Sequence, residues 1–336
     1  MLVVVRDGRT PERPHGQRQE QQPTGVFGPA EEQRDAFDAA DTEPAEVATG
    51  GDGRAEQPAG AAGRSDAAET TGAFVRAAQP WGDGQLARLY DAFAFDADLP
   101  LYRELALAQG GRVLEVACGS GRLLVPLVQA GCAVTGIDIS PHMLALTRDK
   151  LHAVPRRSGT AELIQADMRT FAVPGGAGRF DLAIIAVKSF AYLTERADQL
   201  RCLERVAAHL RPGGLLAIDL LHPRPEWVGA PIGWLRDDLL QAAVADGTTV
   251  WRTESVTSTD LARQVRTIRS VYEVLDAAGR PLAKRFVEWP YRFTYRFEAE
   301  HLLERAGLQV EAVYGGYARE PLDSASTTML FLARRG

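Results

Sequence analysis

The chain reads as an α/β protein: a doubly wound, mostly parallel seven-stranded sheet, an antiparallel β insertion after the fifth strand, and a disordered N-terminal extension. Three observations predict this. Short apolar runs alternate with helical stretches between residues 112 and 221, as a parallel sheet covered on both faces requires. The first of those runs ends in the glycine-rich turn Ala117-Cys118-Gly119-Ser120-Gly121. After Leu221 the rhythm changes to rough alternation of Val, Thr, Tyr, Phe and Arg, which is the pattern of half-buried strands.

The elements follow in order. From Arg6 to about Thr71 the chain is Gly, Pro, Gln, Glu, Asp, Arg and Ala with few large apolar residues, a composition that cannot offset the entropy of ordering by burial. Residues 1–75 are therefore expected to be an extension outside the fold. Near Trp81, Leu86, Leu89, Tyr90 and Phe93 recur at helical spacing. Arg112 to Val116 reads as a buried strand, Arg122 to Ala130 as the next helix, and Ala133 to Ile139 as the second strand. Ser140-Pro141 opens a helix with proline in its first turn. Strands at 161–166 and 181–187 follow, then a helix over 197–210, a Pro212-Gly213-Gly214 stop and the strand 215–221. These make a core over 76–221. Residues 222–296 form an antiparallel substrate lid with strands near 249–257, 263–275 and 284–296, the last two joined by a turn at Asp276-Ala277-Ala278-Gly279. Residues 297–336 return to the core with a helix and two closing strands.

Composition narrows the function. The 336 residues are 45% apolar and 24% charged, enough for a substantial core. A net charge of -6 disfavours a nucleic-acid partner, since such proteins concentrate Lys and Arg on one face. Three cysteines, Cys118, Cys132 and Cys202, with no CxxC pair, point to a reducing cytoplasm and to neither disulfides nor zinc. Met1 to Val5 is far short of a secretion signal, and nowhere do 18 apolar residues run together, so neither export nor a membrane helix is expected. The six histidines show no metal-ligand spacing.

The chemistry centres on Glu115 to Gly121. A small turn between strand and helix brings backbone amides close to a ligand at the carboxyl edge of the sheet. Glu115, at the strand end, suits a cationic ligand and would repel a pyrophosphate; Leu124 stands where a dinucleotide fingerprint has its third Gly or Ala. Asp138 closes the second strand, where a carboxylate accepts both ribose hydroxyls of a nucleotide or else caps the helix at Ser140. Met143 packs on a base or sits in the core. Asp167, ending the third strand, is placed to accept from an adenine amine, with the next backbone amide, that of Met168, serving a ring nitrogen.

Taken together, Glu115 through Gly121, Ile137-Asp138-Ile139-Ser140-Pro141-His142-Met143, Asp167-Met168, Phe180-Asp181-Leu182 and Leu210-Arg211-Pro212-Gly213-Gly214 resemble the ordered motifs of class I, Rossmann-like, S-adenosylmethionine-dependent methyltransferases. The resemblance covers residues 81 to 335. Ser189-Phe190-Ala191-Tyr192-Leu193 is also similar to glycine N-methyltransferases and related bacterial small-molecule enzymes, although Lys188 replaces a residue commonly Asn. It implies S-adenosyl-L-methionine as cofactor, held by Glu115, Ala117, Cys118, Gly119, Gly121, Asp138, Ile139, Met143, Asp167 and Met168. Ala117 departs from the glycine common there. It further implies SN2 transfer of the sulfonium methyl to a N, O or C nucleophile of a small molecule, with the protein mainly positioning and desolvating. Substrate contacts are expected from Lys188 and Tyr192, which leave the fourth strand at the reaction edge or else serve as scaffold, and from Trp251, Arg252, Tyr291 and Tyr295 of the insertion, whose aromatic and cationic set also holds Trp289 and Arg292 and should line the pocket with about a third of its members. His222, just past the fifth strand, is the best-placed base or else a structural histidine. The protein is expected to be a monomer or homodimer. The competing readings are a fold relative that binds the cofactor without methylating, such as a cyclase or a non-catalytic protein, and a nicotinamide-dependent oxidoreductase, which Leu124 and Glu115 disfavour.

Overall fold

The computed structural model describes residues 74–76, 82–93, 95–154, 158–175, 177–235, 240–244 and 247–336. The extension expected over 1–75 lies outside them, apart from its last two residues. These belong to a short strand, β1 (Phe74–Arg76), paired parallel with residues 284–286.

The core sheet runs in the order β11-β12-β6-β5-β2-β3-β4. Its strands are β2 (Arg112–Val116), β3 (Ala133–Asp138), β4 (Thr160–Gln165), β5 (Phe180–Ile185), β6 (Leu210–Leu221), β11 (Leu308–Tyr314) and β12 (Thr328–Arg335). The first five are mutually parallel, and β12 lies antiparallel to both β6 and β11. This is the expected seven-stranded sheet. Its helices are α1 (Gly84–Asp91), α2 (Leu99–Gln109), α3 (Leu124–Gln129), α4 (Pro141–Ala153), α5 (Arg196–His209), a short α6 (Pro225–Val228) and α7 (Arg296–Arg305). Apolar clusters fill both faces, one under α5 and α7 and one under α2, α3 and α4. Among the described residues no helix is long and apolar enough to cross a membrane.

Some boundaries differ from the sequence reading. The helix expected from Arg122 begins at Leu124, because residues 119–123 complete the glycine turn. Helix α2 has no counterpart in that reading; Leu101, Tyr102, Leu105 and Ala106 form its buried stripe, and Gly110 ends it in the left-handed conformation. The Pro212-Gly213-Gly214 stop is absorbed into β6 as an irregularity in its pairing with β5.

The second sheet, β1-β10-β9-β8-β7, is built from β7 (Leu240–Ala243), β8 (Thr249–Asp260), β9 (Val265–Leu275) and β10 (Pro281–Arg292), all antiparallel to their neighbours apart from β1. The Asp276 turn forms as expected, with the Asp276 carboxylate accepting from the Ala278 and Arg280 amides. Directly paired residues share a face. The face carrying Val250, Tyr272, Val287 and Trp289 packs on Leu86 of α1 and on Tyr192.

Candidate active site

In the core sheet β2 lies between β3 and β5, so the strand order reverses beside β2, and ligands of such sheets bind at the carboxyl ends of strands flanking that point. A cleft of about 90 Å³ opens there. One wall is Glu115 with the 117–120 turn; another is Ala186, Val187 and Ser189 after β5; the roof is Tyr90, Asp91, Phe93 and Phe95, from α1 and the segment after it. Sites for small ligands usually start near 300 Å³. The roof lies close over the turn, leaving the cleft smaller than such sites.

The glycine turn is shaped by its backbone. Gly119 and Gly121 have φ of 56° and 79°. A Cβ on Gly119 would meet nothing within 4 Å, so the space beside its Cα is open to a ligand; a Cβ on Gly121 would lie 2.7 Å from Thr147 Cγ2. Ala117 has φ 58°, a left-handed conformation that its Cβ disfavours by roughly 1–2 kcal/mol. The strain sits where the backbone turns toward the cleft. Ala117→Gly should raise stability by about 1 kcal/mol after the extra freedom of the unfolded chain is subtracted, seen as a Tm increase of about 2–4 °C. An unchanged or lower Tm would mean the turn carries no strain at this residue.

Glu115 is only 4% exposed, and its Oε2 has no hydrogen-bond partner among the described residues. Burial pushes its carboxyl up to about 8, against a smaller lowering by Arg122. The Arg122 guanidinium is committed elsewhere: Nη2 donates to Asp98 at 2.7 Å and Nη1 to the Phe95 carbonyl at 2.6 Å. Asp98 is fully buried, and burial raises its carboxyl. This pair ties the roof to the glycine turn. Asp91 adds a second tie, accepting from Ser120 Oγ and, at 2.6 Å, from Lys150 Nζ.

Asp138 lies at the end of β3 with its carboxylate turned back to the turn: Oδ2 accepts from the Gly119 amide and Oδ1 from the Ser140 amide, both at 2.8 Å. The helix cap is Ser140 itself, whose Oγ accepts from the Met143 amide at 3.3 Å. The capping role considered for Asp138 thus belongs to its neighbour. Ile139 is 51% exposed beside it, an apolar surface of the size a base stacks on. Met143 is buried beneath α4, and Cys118 is packed against Gly136 and Leu124 with its thiol raised well above its ordinary value by burial. Asp167 holds Arg169 in a fork, with Nε at 2.9 Å, and Arg169 reaches on to Asp198 at 3.1 Å. That arginine lowers the Asp167 carboxyl and already occupies the oxygens assigned to an adenine amine. Met168 packs against the core.

The turn after β5 has two consecutive left-handed residues, Val187 and Lys188, at φ 56° and 58°. Neither is glycine, so the surrounding structure must hold them there, a pattern that clusters at functional sites. Asp219, fully buried on β6, supplies the hold: it accepts from the Lys188 amide at 3.1 Å, lies 3.3 Å from Lys188 Nζ, and accepts from Tyr317 Oη. Lys188 Nζ also donates to Tyr317 Oη at 3.0 Å. Lys188 is therefore engaged in a buried network behind the cleft wall.

Beyond the roof lies an aromatic layer. Tyr192 Oη and Tyr291 Oη are 2.8 Å apart, their rings lie tilted with centroids at 4.8 Å, and Trp289 lies 5.7 Å from Tyr192 and 6.5 Å from Tyr90. Arg252 pairs with Glu254 and lies over the rings of Phe93 and Tyr272 at 5.7 and 5.9 Å. Of the six residues expected to contact substrate, Tyr192, Tyr291 and Arg252 are brought to this layer. Trp251 points to the other face of the lid sheet, and Tyr295 is an exposed cap of α7. Arg292 binds Glu298 and Gln264, anchoring β10 to α7. His222 is tied to the loop before β12, its Nδ1 donating to the Ser326 carbonyl at 2.8 Å, and is not among the residues lining the cleft. Sequence reasoning missed Asp91, Asp98, Arg122, Asp219 and Tyr317, whose roles come from partners far away along the chain.

Residues 113–214 match the family model of the methyltransferase domain. They form a class I methyltransferase domain. Glycine N-methyltransferase of Rattus norvegicus is 33% identical over 154 residues, 41% of this chain and 52% of that protein. The dTDP-3-amino-3,6-dideoxy-alpha-D-glucopyranose N,N-dimethyltransferase of Streptomyces fradiae is 29% identical over 246 residues, 69% of this chain and 87% of that protein. The chain spans between 42% and 57% of the length of the curated relatives it matches at 33% identity or more. Among solved structures, the CcbJ methyltransferase from Streptomyces caelestis superposes with a TM-score of 0.60 at 21% identity, covering 75% of this chain and 96% of that one. The methyltransferase domain holds the cleft, the glycine turn, Asp138 and the strained 187–188 turn; the roof and the lid sheet lie outside the matched residues.

Proposed function

We propose that this protein transfers the methyl group of S-adenosyl-L-methionine to an amine nitrogen of a small molecule, in the cytoplasm. One observation carries the cofactor: Glu115, a buried carboxylate with an oxygen unpartnered among the described residues, at a strand end beside Gly119, where a Cβ would meet nothing within 4 Å. An isolated buried carboxylate is costly, and a cation removes the cost. The cofactor supplies an ammonium, and its ribose lies toward Asp138 and its adenine toward Ile139. When bound, it supplies the electrophilic methyl. The protein's own contribution is to hold the acceptor in line and exclude water. The roof, tied down by Arg122 to Asp98 and by Asp91 to Ser120, provides that exclusion.

The choice of nitrogen is supported by the Streptomyces fradiae relative, which acts on an amino sugar, and by the groups in the aromatic layer. Burial raises the phenols of Tyr192 and Tyr291, so both stay neutral, with no anionic base formed there at ordinary pH. An amine needs only its lone pair, whereas a phenol or carbon acid needs a base. Three free, buried cysteines accord with a reducing compartment. The test is incubation of the full chain with methyl-labelled cofactor and a panel of amine, phenol and carbon-acid metabolites, reading S-adenosylhomocysteine. Label in an amine is the expected result. Binding of a nicotinamide dinucleotide with none of S-adenosylhomocysteine, seen by calorimetry, would overturn the reading.

A further inference from the structure

Arg266, on β9, is fully buried, the largest side chain in the described structure to be so. Its Nη2 donates to the Ala230 carbonyl at 2.8 Å, and its guanidinium lies over the Trp227 ring at 4.9 Å. Nε and Nη1 have no partner among the described residues. A neighbouring acceptor and a ring face leave the positive charge without an anion among the described residues, a costly arrangement in a protein interior. Burial accordingly lowers the guanidinium's pKa. Thr259 is paired directly with Arg266 across β8 and so shares its face, and its Oγ1 is likewise buried without a partner. Unmet donors therefore converge on one spot.

That spot faces the reaction side. Tyr291 pairs with Arg266 across β10 and lies on the same face, and its hydroxyl meets Tyr192, three residues beyond Ser189 in the cleft wall. What covers Arg266 is the segment 225–235, which places Trp227 and Ala230 on the guanidinium, then runs antiparallel beside β8 at its end, with Gly229 and Gly233 on either side of Pro231, and exposes Ile232, Trp234 and Leu235. Among the described residues its backbone bonds to the sheet are two, Gly233 to Val256 and Val256 to Trp234, with an isolated bridge at Leu235, and Trp227 meets Phe293 edge-on at 5.9 Å. A cover held by so few bonds opens at modest cost.

We propose that Arg266, with Thr259, is an oxyanion site for the methyl acceptor, taking a phosphate, diphosphate or carboxylate carried by the acceptor away from its reacting nitrogen, under the 225–235 flap. The guanidinium offers the fork that such groups bind in two-point fashion. The ion pair removes the unpaired charge, and Trp227 closes over it. This site rests on the proposed methyl transfer for its purpose but not for its chemistry, so it is tested without any acceptor or turnover.

The test uses the full chain, with inorganic pyrophosphate and with succinate as separate probes, against chloride at matched ionic strength. Wild type should melt about 2–4 °C higher in the binding anion, as a ligand at several times its Kd requires. Pyrophosphate acting alone assigns a phosphate-bearing acceptor, and succinate acting alone a carboxylate-bearing one. Arg266→Met keeps the length and removes the charge. It should lose the anion response and melt no lower than wild type in chloride, because an unpaired buried charge has gone. Arg266→Lys keeps a point charge without the fork and should bind the anion roughly tenfold more weakly. S-adenosylhomocysteine affinity, measured on the same samples, should be unchanged in both variants; its absence in all of them would sink the methyltransferase reading and leave the anion site standing. Equal anion shifts in wild type and Arg266→Met, or no shift in wild type, would overturn the site and make Arg266 a structural tie to Ala230 and Trp227.

Discussion

Glu115→Gln is expected to weaken binding of S-adenosylhomocysteine by about a hundredfold at pH 8 and to stabilise the free protein at the same pH. The two effects have one cause. In the free protein, burial holds the Glu115 carboxyl up to about 8, so the native chain keeps a proton that the unfolded chain releases near the ordinary value of about 4.3. Between those limits the native state binds more protons than the unfolded one, so stability falls as pH rises, and the loss is complete above about 8. Glutamine has no such slope and should melt higher than wild type at pH 8 and above. The ligand's α-amino group belongs to a free amino acid whose own carboxylate favours the ammonium, so it loses its proton above the range of about 7.7–8.0 of a chain terminus. Binding pairs the carboxylate with the ammonium, so below about 8 the protein must shed a proton, and once the amine has lost its own the ligand must gain one. Wild-type affinity should therefore rise up to about pH 8 and fall only above the amine's own value, and the variant should lose the acid limb alone. A hundredfold loss corresponds to about 2.7 kcal/mol, within the range for a hydrogen bond to a charged group. Calorimetric titrations from pH 6 to pH 9 would read this; a wild-type affinity flat across that range removes Glu115 from the ligand's ammonium.

What was legible in the sequence follows from how local each signal is. The parallel sheet, its covering helices and the Asp276 hairpin were readable because each is announced within a dozen residues by periodicity and turn chemistry. The glycine turn was equally legible, since it joins one strand to the next helix. The groups that complete the site were not. Asp219 sits inside Ala217-Ile218-Asp219-Leu220, which reads as a buried strand, and its partner Tyr317 lies 98 residues on. Asp98 is 24 residues from Arg122, and nothing in the sequence around it names that partner. Arg266 looks like any charged residue in an alternating strand until the register shows which face it shares with Tyr291. Asp167 is the opposite case. Its place at a strand end suggested a ligand contact, but Arg169, two residues later, is close enough to hold both its oxygens.

Asp138→Ala should lower Tm by about 6–12 °C and weaken S-adenosylhomocysteine binding by ten- to a hundredfold. The stability loss comes from the amides of Gly119 and Ser140, each 2.8 Å from a carboxylate oxygen and left without an acceptor in a buried setting. Two hydrogen bonds to a charged group, at about 1.5 kcal/mol each at the low end, give about 3 kcal/mol, which a domain of this size shows as that shift in Tm. The affinity loss has two possible sources with different signatures. Loosening the Gly119 turn weakens every ligand that lies on it, whereas losing a ribose acceptor weakens only ligands that carry the hydroxyls. An S-adenosylhomocysteine analogue lacking both ribose hydroxyls separates them through a double-mutant cycle. Against the natural ligand the variant should lose ten- to a hundredfold, and against the analogue only a few-fold, the share owed to the turn. Equal losses on both ligands would leave Asp138 as the tie between β3 and the glycine turn, with the ribose held by other groups.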